Sequence, residues 1–219
     1  MVGQRSEQGT VVRDAVGIGI AVGAYGLSFG AVATTAGLSV AQACATSLLL
    51  FTGASQFALV GVLGAGGSAI AGVLSALLLG SRNTLYAVRL ADLLQIRGPR
   101  RLLAAQLTLD ESTAMATATP GHPALAFWAT GASVYVLWNL GTLLGAVGAA
   151  RLGDPATFGL DAAIPAAFLA LLAPRLRERT GLLVAVAGGL LALAAVPVSR
   201  PGVPVLVAAL AVVPLLVRR

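Results

Sequence analysis

Three charged side chains stand in stretches of this sequence that otherwise favour an apolar environment. Arg82 lies in the middle of an apolar run, and Asp110 and Glu111 interrupt another. The planar fork of an arginine suits a carboxylate, while a carboxylate can hold an ammonium group or carry a proton. Two alternatives stay open. Arg82 could be a counter-ion for one of the acids or reach towards lipid headgroups, and both acids could lie in water on an interfacial helix.

Polar and aromatic residues close to glycines form a second candidate set. A helix that breaks at glycine exposes backbone groups that can bind a zwitterion, and aromatic walls select an apolar ligand. The residues that we predict to bind a ligand, together with Arg82, are Tyr25, Phe29, Gly53, Ala54, Ser55, Gln56, Phe57, Asn83 and Tyr86. Tyr86 follows Arg82 by four residues and therefore shares its helix face. Plain packing is the alternative for residues 53–57.

Several kinds of chemistry lack the residues that they need. His122 is the single histidine and lies in a Pro-Gly-His-Pro turn, and Cys44 is the single cysteine, so we predict no metal site. The chain has no lysine for a phosphate-binding loop and no histidine beside a serine for hydrolysis. The sequence therefore predicts neither an enzyme nor a bound cofactor. The arginines stand at segment ends, which favours contact with the lipid bilayer over nucleic acid.

The elements that position these residues are predicted from the composition. Hydrophobic residues make up 58% of the chain and charged residues only 10%, whereas a soluble domain carries about 25% charged residues. Residues 15–81 contain no Asp, Glu, Lys or Arg. Since a bilayer-spanning helix needs about 20 apolar residues, that stretch alone accommodates two or three. We predict an all-α integral membrane protein.

Turn signals divide the apolar mass into eight segments, which are too long and too uniformly apolar for barrel strands. They cover residues 15–36, 41–63, 68–96, 102–119, 124–149, 160–173, 181–197 and 203–216. Pro165 interrupts the sixth of them. Three Gly-x-x-x-Gly pairs, which begin at Gly19, Gly26 and Gly141, predict close packing of the helices.

The topology depends on which segments cross fully. Eight crossings place the basic loop at residues 97–101 outside, against the positive-inside rule. If segments 15–36 and 102–119 are instead broken or re-entrant, the basic clusters at 97–101, 175–179 and 218–219 all lie inside. We therefore predict about seven transmembrane helices (six to eight), with at least one discontinuous. Residues 1–14 form a cytoplasmic tail and residues 15–219 a single transmembrane transporter domain.

A short Gly-Ala-Ser motif occurs twice in the sequence, which is weak evidence for an internal repeat. Gly-Ala-Ser triplets begin at Gly53 and at Gly131, each within a glycine-bearing segment. Two such halves would fit an inverted repeat, which is typical of transporters.

Three motifs in this order resemble the AzlC-type branched-chain amino acid permease family. They are Phe51-Thr52-Gly53-Ala54-Ser55-Gln56-Phe57-Ala58, Arg82-Asn83-Thr84-Leu85-Tyr86 and Thr108-Leu109-Asp110-Glu111-Ser112. The likeness extends over nearly the whole chain and is strongest in residues 37–115. Two departures stand out: Asn83 occupies a position where the family often has histidine, and Leu109 is inserted between the threonine and the acids.

The resemblance implies export of leucine, isoleucine and valine across the bacterial inner membrane, driven by the proton gradient. It also implies a small AzlD-type partner subunit of about four helices. On this reading the site residues above bind the amino acid, and Asp110 and Glu111 couple the proton. A transporter of another small solute and a non-transporting assembly component are the alternatives. Polar residues within apolar segments argue against the latter.

Overall fold

The computed structural model of the chain describes residues 2–152, 169 and 172–214. This described part is helical and contains no strand, which confirms the predicted all-α membrane protein. Its helices are α1 (Val2–Thr35), α2 (Val40–Leu49), α3 (Ala54–Gly64), α4 (Ala69–Gly80), α5 (Arg82–Leu94), α6 (Arg100–Gln106), α7 (Asp110–Ala118), α8 (Pro123–Leu152), α9 (Arg179–Ala195) and α10 (Val203–Ala208). Short 3₁₀ turns occupy Arg175–Arg177, Val196–Val198 and Ala209–Val212.

Three stretches of helix in the described residues are long and apolar enough to cross a membrane. They are Ser6–Thr35, Pro123–Arg151 and Arg179–Val198. The first is continuous, so the idea that segment 15–36 is broken or re-entrant is wrong. Residues 2–14 are part of the same helix, and their position on the cytoplasmic side stays a prediction. Four glycines of α1, Gly19, Gly23, Gly26 and Gly30, pack against a neighbouring helix, and the helix continues through them.

That neighbour is α8, and the two helices approach closely along their glycines. A Cβ on Gly26 would lie 2.5 Å from the Trp138 carbonyl oxygen, and one on Gly23 3.0 Å from Leu137 Cβ. From the other side, Gly141 and Gly145 face the backbone of α1 between Gly23 and Leu27. Residues without side chains let two backbones meet. The predicted close packing of helices at the Gly-x-x-x-Gly pairs is confirmed here.

Three further segments are each split into two short helices. α2 and α3 are separated by residues 50–53, α4 and α5 by Ser81, and α6 and α7 by residues 107–109. At 1.5 Å per residue, the 11 residues of α3 extend about 17 Å, well short of the roughly 30 Å of a bilayer core. The expectation of at least one discontinuous segment is confirmed.

Local sequence explains where the chain leaves the helix. Gly53 has φ 63° and ψ −97°, a conformation that a residue with a Cβ rarely adopts. Leu109 is extended, and the hydroxyl of Ser112 accepts from its N–H at 3.0 Å while donating to the Leu107 carbonyl at 2.6 Å. At Ser81 the N–H of Thr84 bonds to the Ser81 carbonyl at 3.0 Å, which tightens the junction.

The two Gly-Ala-Ser motifs do not occupy structurally equivalent positions. Gly53 precedes α3, whereas Gly131 lies inside the continuous α8. Gly131 packs against the Leu107 side chain and is not part of a turn. Pro165 and most of predicted segment 160–173 lie outside the described residues. The number of crossings stays a prediction.

Candidate functional site

A cavity of about 150 Å³ opens where the three split segments meet the α1–α8 pair. A cavity of this size holds a molecule about as large as benzene. Its lining consists of Val22, Tyr25, Phe51, Thr52, Gly53, Ala54, Phe57, Arg82, Asn83, Leu109, Asp110, Glu111, Val134 and Trp138. These residues come from all three interruptions and from the middle of the two long helices. Regions far apart in the sequence therefore converge on one site.

An ion pair crosses this cavity between two of the interruptions. Arg82 Nη1 lies 2.9 Å from Asp110 Oδ2, and both side chains are about two-fifths exposed. The other carboxylate oxygen, Asp110 Oδ1, is buried and has no hydrogen-bond partner among the described residues. Tyr86, one turn beyond Arg82, forms a side-chain hydrogen bond with Asp110 and lies close enough to Arg82 to interact with its charge. Asp110 Oδ1 is thus an unused acceptor beside the contact between Arg82 and Asp110 Oδ2.

Glu111 adds a second carboxylate to the same wall. It is half-buried and has no ion-pair partner in the described part of the chain. The two acids occupy the first turn of α7, where the partial positive charge of a helix N-terminus favours anions by about 0.3–1 kcal/mol each. Two carboxylates and one arginine therefore line the same cavity.

Three helix N-termini contribute residues to the cavity lining. α3 begins after Gly53, α5 begins at Arg82 and α7 begins at Asp110, and each of these residues lines the cavity. The first N–H groups of a helix have no partner within it and attract negatively charged groups. The α7 end is already occupied by its own acids. The α3 end carries no charged side chain and can accept an external anion.

Two side-chain hydrogen bonds hold the interruptions in place. The Gly53 N–H donates to Gln56 Oε1 at 3.1 Å, which fixes the turn into α3. Asn83 Nδ2 donates to the Thr108 carbonyl at 3.1 Å, which ties the start of α5 to the turn between α6 and α7. The ion pair and the Asn83 bond join the same two interruptions, which are therefore linked at two points.

The remaining wall is aromatic and apolar. The Phe57 ring lies edge-on to Trp138 with centroids 6.3 Å apart, and Phe51 packs edge-on against Tyr135 at 4.8 Å. Val22 and Val134 complete this side. An apolar surface opposite a set of charges is the arrangement that accommodates a small molecule with one polar and one aliphatic end.

The structure brings most of the sequence-predicted residues together. Those that line the cavity are Tyr25, Gly53, Ala54, Phe57, Arg82, Asn83, Asp110 and Glu111. Four others stand outside the lining: Phe29, Ser55, Gln56 and Tyr86. Phe29 and Ser55 are fully buried packing residues, Gln56 caps Gly53 and Tyr86 stands behind the ion pair. Their roles in binding stay predictions.

Sequence reasoning missed six of the lining residues: Val22, Phe51, Thr52, Leu109, Val134 and Trp138. One signal for Trp138 was present. It stands at the middle of α8, whereas tryptophan in membrane helices is enriched at the two interfaces. No group of three metal-binding side chains occurs among the described residues, and the lack of a metal or cofactor stays a prediction.

Comparison with known proteins gives one match. A search of curated proteins and a search of solved structures each found no match. The family model described as AzlC protein matches residues 17–152, which is more than half of the chain and includes every residue that lines the cavity. The chain therefore belongs to the AzlC family and is a membrane transporter of the AzlC type.

Proposed function

We propose that this protein is a secondary transporter that exports branched-chain amino acids from the cytoplasm, and that the cavity is its substrate site. The observation that carries the proposal is the convergence of three interrupted helices on one small cavity that both charged and apolar side chains line. Discontinuous helices with their ends at a solute are the usual construction of secondary transporters.

The two ends of an amino acid fit opposite features of the cavity. Its carboxylate suits the Arg82 guanidinium and the free N–H groups at the start of α3. Its ammonium group suits Asp110 Oδ1, which is buried without a partner. An aliphatic side chain would pack against Phe57 and Val134. Branched chains fill such a wall without adding polar atoms.

The ion pair gives a route for substrate entry. Arg82 and Asp110 carry the same two charges as an amino acid zwitterion. The substrate carboxylate can therefore pair with Arg82 in place of Asp110, and the substrate ammonium group can pair with Asp110 in place of Arg82. A pair that is partly exposed contributes little to stability, typically about 0–1 kcal/mol. Its separation therefore costs little, and a substrate that satisfies both charges offsets that cost. A ligand with a single charge leaves one member unpaired.

Proton coupling, the partner subunit and the location complete the proposal. Glu111, which no described cation pairs, is the group that we expect to carry the proton. The family likeness supports a small AzlD-type membrane subunit and a multi-pass position in the bacterial inner membrane. The charged cavity argues against a purely structural component, because ionisable residues within membrane segments are rare and mark substrate and ion pathways.

Counterflow in proteoliposomes tests the proposal. Purified protein is reconstituted with and without the small subunit, loaded with unlabelled leucine, and supplied with labelled leucine outside. Labelled leucine should accumulate transiently, and valine or isoleucine should compete with it. Counterflow with another amino acid but not with leucine would indicate a transporter of a different solute. Its absence with every amino acid, in both preparations, would contradict a transport role.

A further inference from the structure

A donor without a partner stands in the wall of the cavity. Trp138 is 4% exposed and lines the cavity, and its indole Nε1 is buried with no hydrogen-bond partner among the described residues. A buried N–H that makes no bond is costly. A wholly apolar side chain would avoid that cost, so packing alone does not account for the indole N–H.

The ring has little freedom to turn towards another acceptor. Phe29 stacks on it at a centroid distance of 6.1 Å, and Phe57 meets it edge-on at 6.3 Å. Its backbone lies against Gly26 of α1, where an added Cβ would be 2.5 Å from the Trp138 carbonyl oxygen. The two aromatic neighbours and the close backbone contact therefore restrict the rotation of the indole ring.

Unpartnered atoms at the cavity come in a complementary pair. Among the buried side-chain atoms without a partner in the described residues, two belong to residues that line the cavity: Trp138 Nε1 and Asp110 Oδ1. An indole nitrogen only donates, and a carboxylate oxygen only accepts. A zwitterion offers the reverse set, since its carboxylate only accepts and its ammonium only donates.

We infer that the indole N–H of Trp138 binds the substrate carboxylate and thereby fixes the orientation of the amino acid in the cavity. This inference rests on the proposed function, and it adds a binding residue from α8 to the arginine and the helix ends. The ammonium group is held at the opposite side by Asp110. Trp138 thus selects ligands that carry a carboxylate.

The first test is Trp138→Phe, which keeps an aromatic ring and removes the N–H. Loss of a hydrogen bond to a charged group weakens binding by about one to two powers of ten. The KM for leucine counterflow should therefore rise about 10- to 100-fold while the maximal rate changes little. Trp128→Phe is the matched control, because Trp128 packs against Phe127 away from the cavity, and its KM should equal that of the wild type.

A ligand without a carboxylate separates binding from packing. Isoamylamine keeps the ammonium group and the branched chain of leucine, so its inhibition of leucine counterflow should be equally strong in Trp138→Phe and in the wild type. Equal weakening of leucine and isoamylamine would show that the substitution only disturbs the wall, and would overturn the inference. An unchanged KM for leucine would overturn it as well.

Fluorescence provides a readout that does not need transport. The chain has two tryptophans, so Trp128→Phe leaves Trp138 as the single emitter. Saturating leucine should shift its emission, and isoamylamine should shift it less. No shift with leucine in a variant that transports leucine would overturn the inference. A wild-type protein without leucine counterflow would instead refute the proposed function, so the two failures are distinct.

Discussion

At the scale of single residues, the Arg82–Asp110 pair is the centre of the cavity and has two competing uses. It neutralises an arginine at the N-terminus of α5, where the helix dipole disfavours a cation, and it offers both charges to a zwitterion. Both side chains are about two-fifths exposed, so solvent screens the pair and reduces its stabilising contribution. This balance favours a role in binding over a role in holding the fold.

Arg82→Ala should therefore impair transport more than stability. We expect leucine counterflow to fall at least about tenfold, since removal of a charged hydrogen bond to the substrate costs about 1.5–3 kcal/mol. The measurement is initial counterflow rate per unit of folded protein. Arg89→Ala is the matched control, because Arg89 is an exposed arginine on the same helix outside the cavity lining. Equal rates in the two variants would contradict the role of Arg82.

At the scale of elements, the turn before α3 depends on a backbone conformation. Gly53 lies at φ 63° and ψ −97°, so Gly53→Ala adds strain of about 1–3 kcal/mol although no atom lies within 4 Å of the added Cβ. We expect the start of α3 to shift and transport to fall severalfold. Gly37→Ala introduces a similar φ penalty, at +95°, in the turn between α1 and α2.

The comparison of these two glycine variants isolates the site. Each should lose some thermal stability, but only Gly53→Ala should raise the KM for leucine, because Gly37 does not line the cavity. Initial rates over a range of leucine concentrations, normalised to folded protein, give the measurement. A KM that rises equally in both variants would mean that the effect comes from general destabilisation.

The contact between α1 and α8 offers a second test at this scale. A Cβ on Gly145 would meet the Leu27 backbone, with Leu27 C at 2.8 Å, whereas a Cβ on Gly148 meets nothing within 4 Å. Gly145→Ala should therefore lower stability by about 1–3 kcal/mol through overpacking. Gly148→Ala should leave it unchanged or raise it by up to about 1 kcal/mol. Thermal unfolding in detergent measures both, and similar melting temperatures would contradict the close approach.

The elements differ in how far the sequence predicted them. Long apolar runs predict helices directly, and the glycine at position 53 predicts an interruption because only glycine favours its conformation. The junction at Ser81 has no comparable signal, since Ser81 keeps ordinary helical dihedral angles. Convergence of the interruptions on one cavity is a tertiary property that periodicity does not contain. For the same reason Trp138 went unpredicted and Phe29 was placed in the site, although its ring packs beside the cavity wall.

At the scale of the whole molecule, the fold combines a tightly packed helix pair with three interrupted segments. The backbones of α1 and α8 touch along their glycines, which leaves little room for sliding. The interrupted segments carry the charges, and hydrogen bonds join their turns in only a few places. We expect the interrupted segments to rearrange against the fixed pair when the cavity opens to one side and then to the other.

Coupling to the proton gradient is the last property at this scale, and Glu111 is where we place it. A transporter that exchanges a proton for each exported substrate needs a group that binds the proton on one side of the membrane and releases it on the other. Counterflow exchanges substrate for substrate and requires no net proton movement. Glu111→Gln should therefore retain leucine counterflow within about twofold, because a neutral glutamine resembles the protonated carboxyl.

Net efflux should behave differently in the same variant. In the wild type an imposed pH gradient should accelerate leucine efflux from proteoliposomes, and Glu111→Gln should lose that acceleration. Glu178→Gln is the control, since Glu178 is exposed at the start of α9 and outside the cavity lining. If Glu111→Gln still responds to the gradient, another group carries the proton. If it loses counterflow as well, Glu111 holds the substrate ammonium group together with Asp110, and the coupling role is refuted.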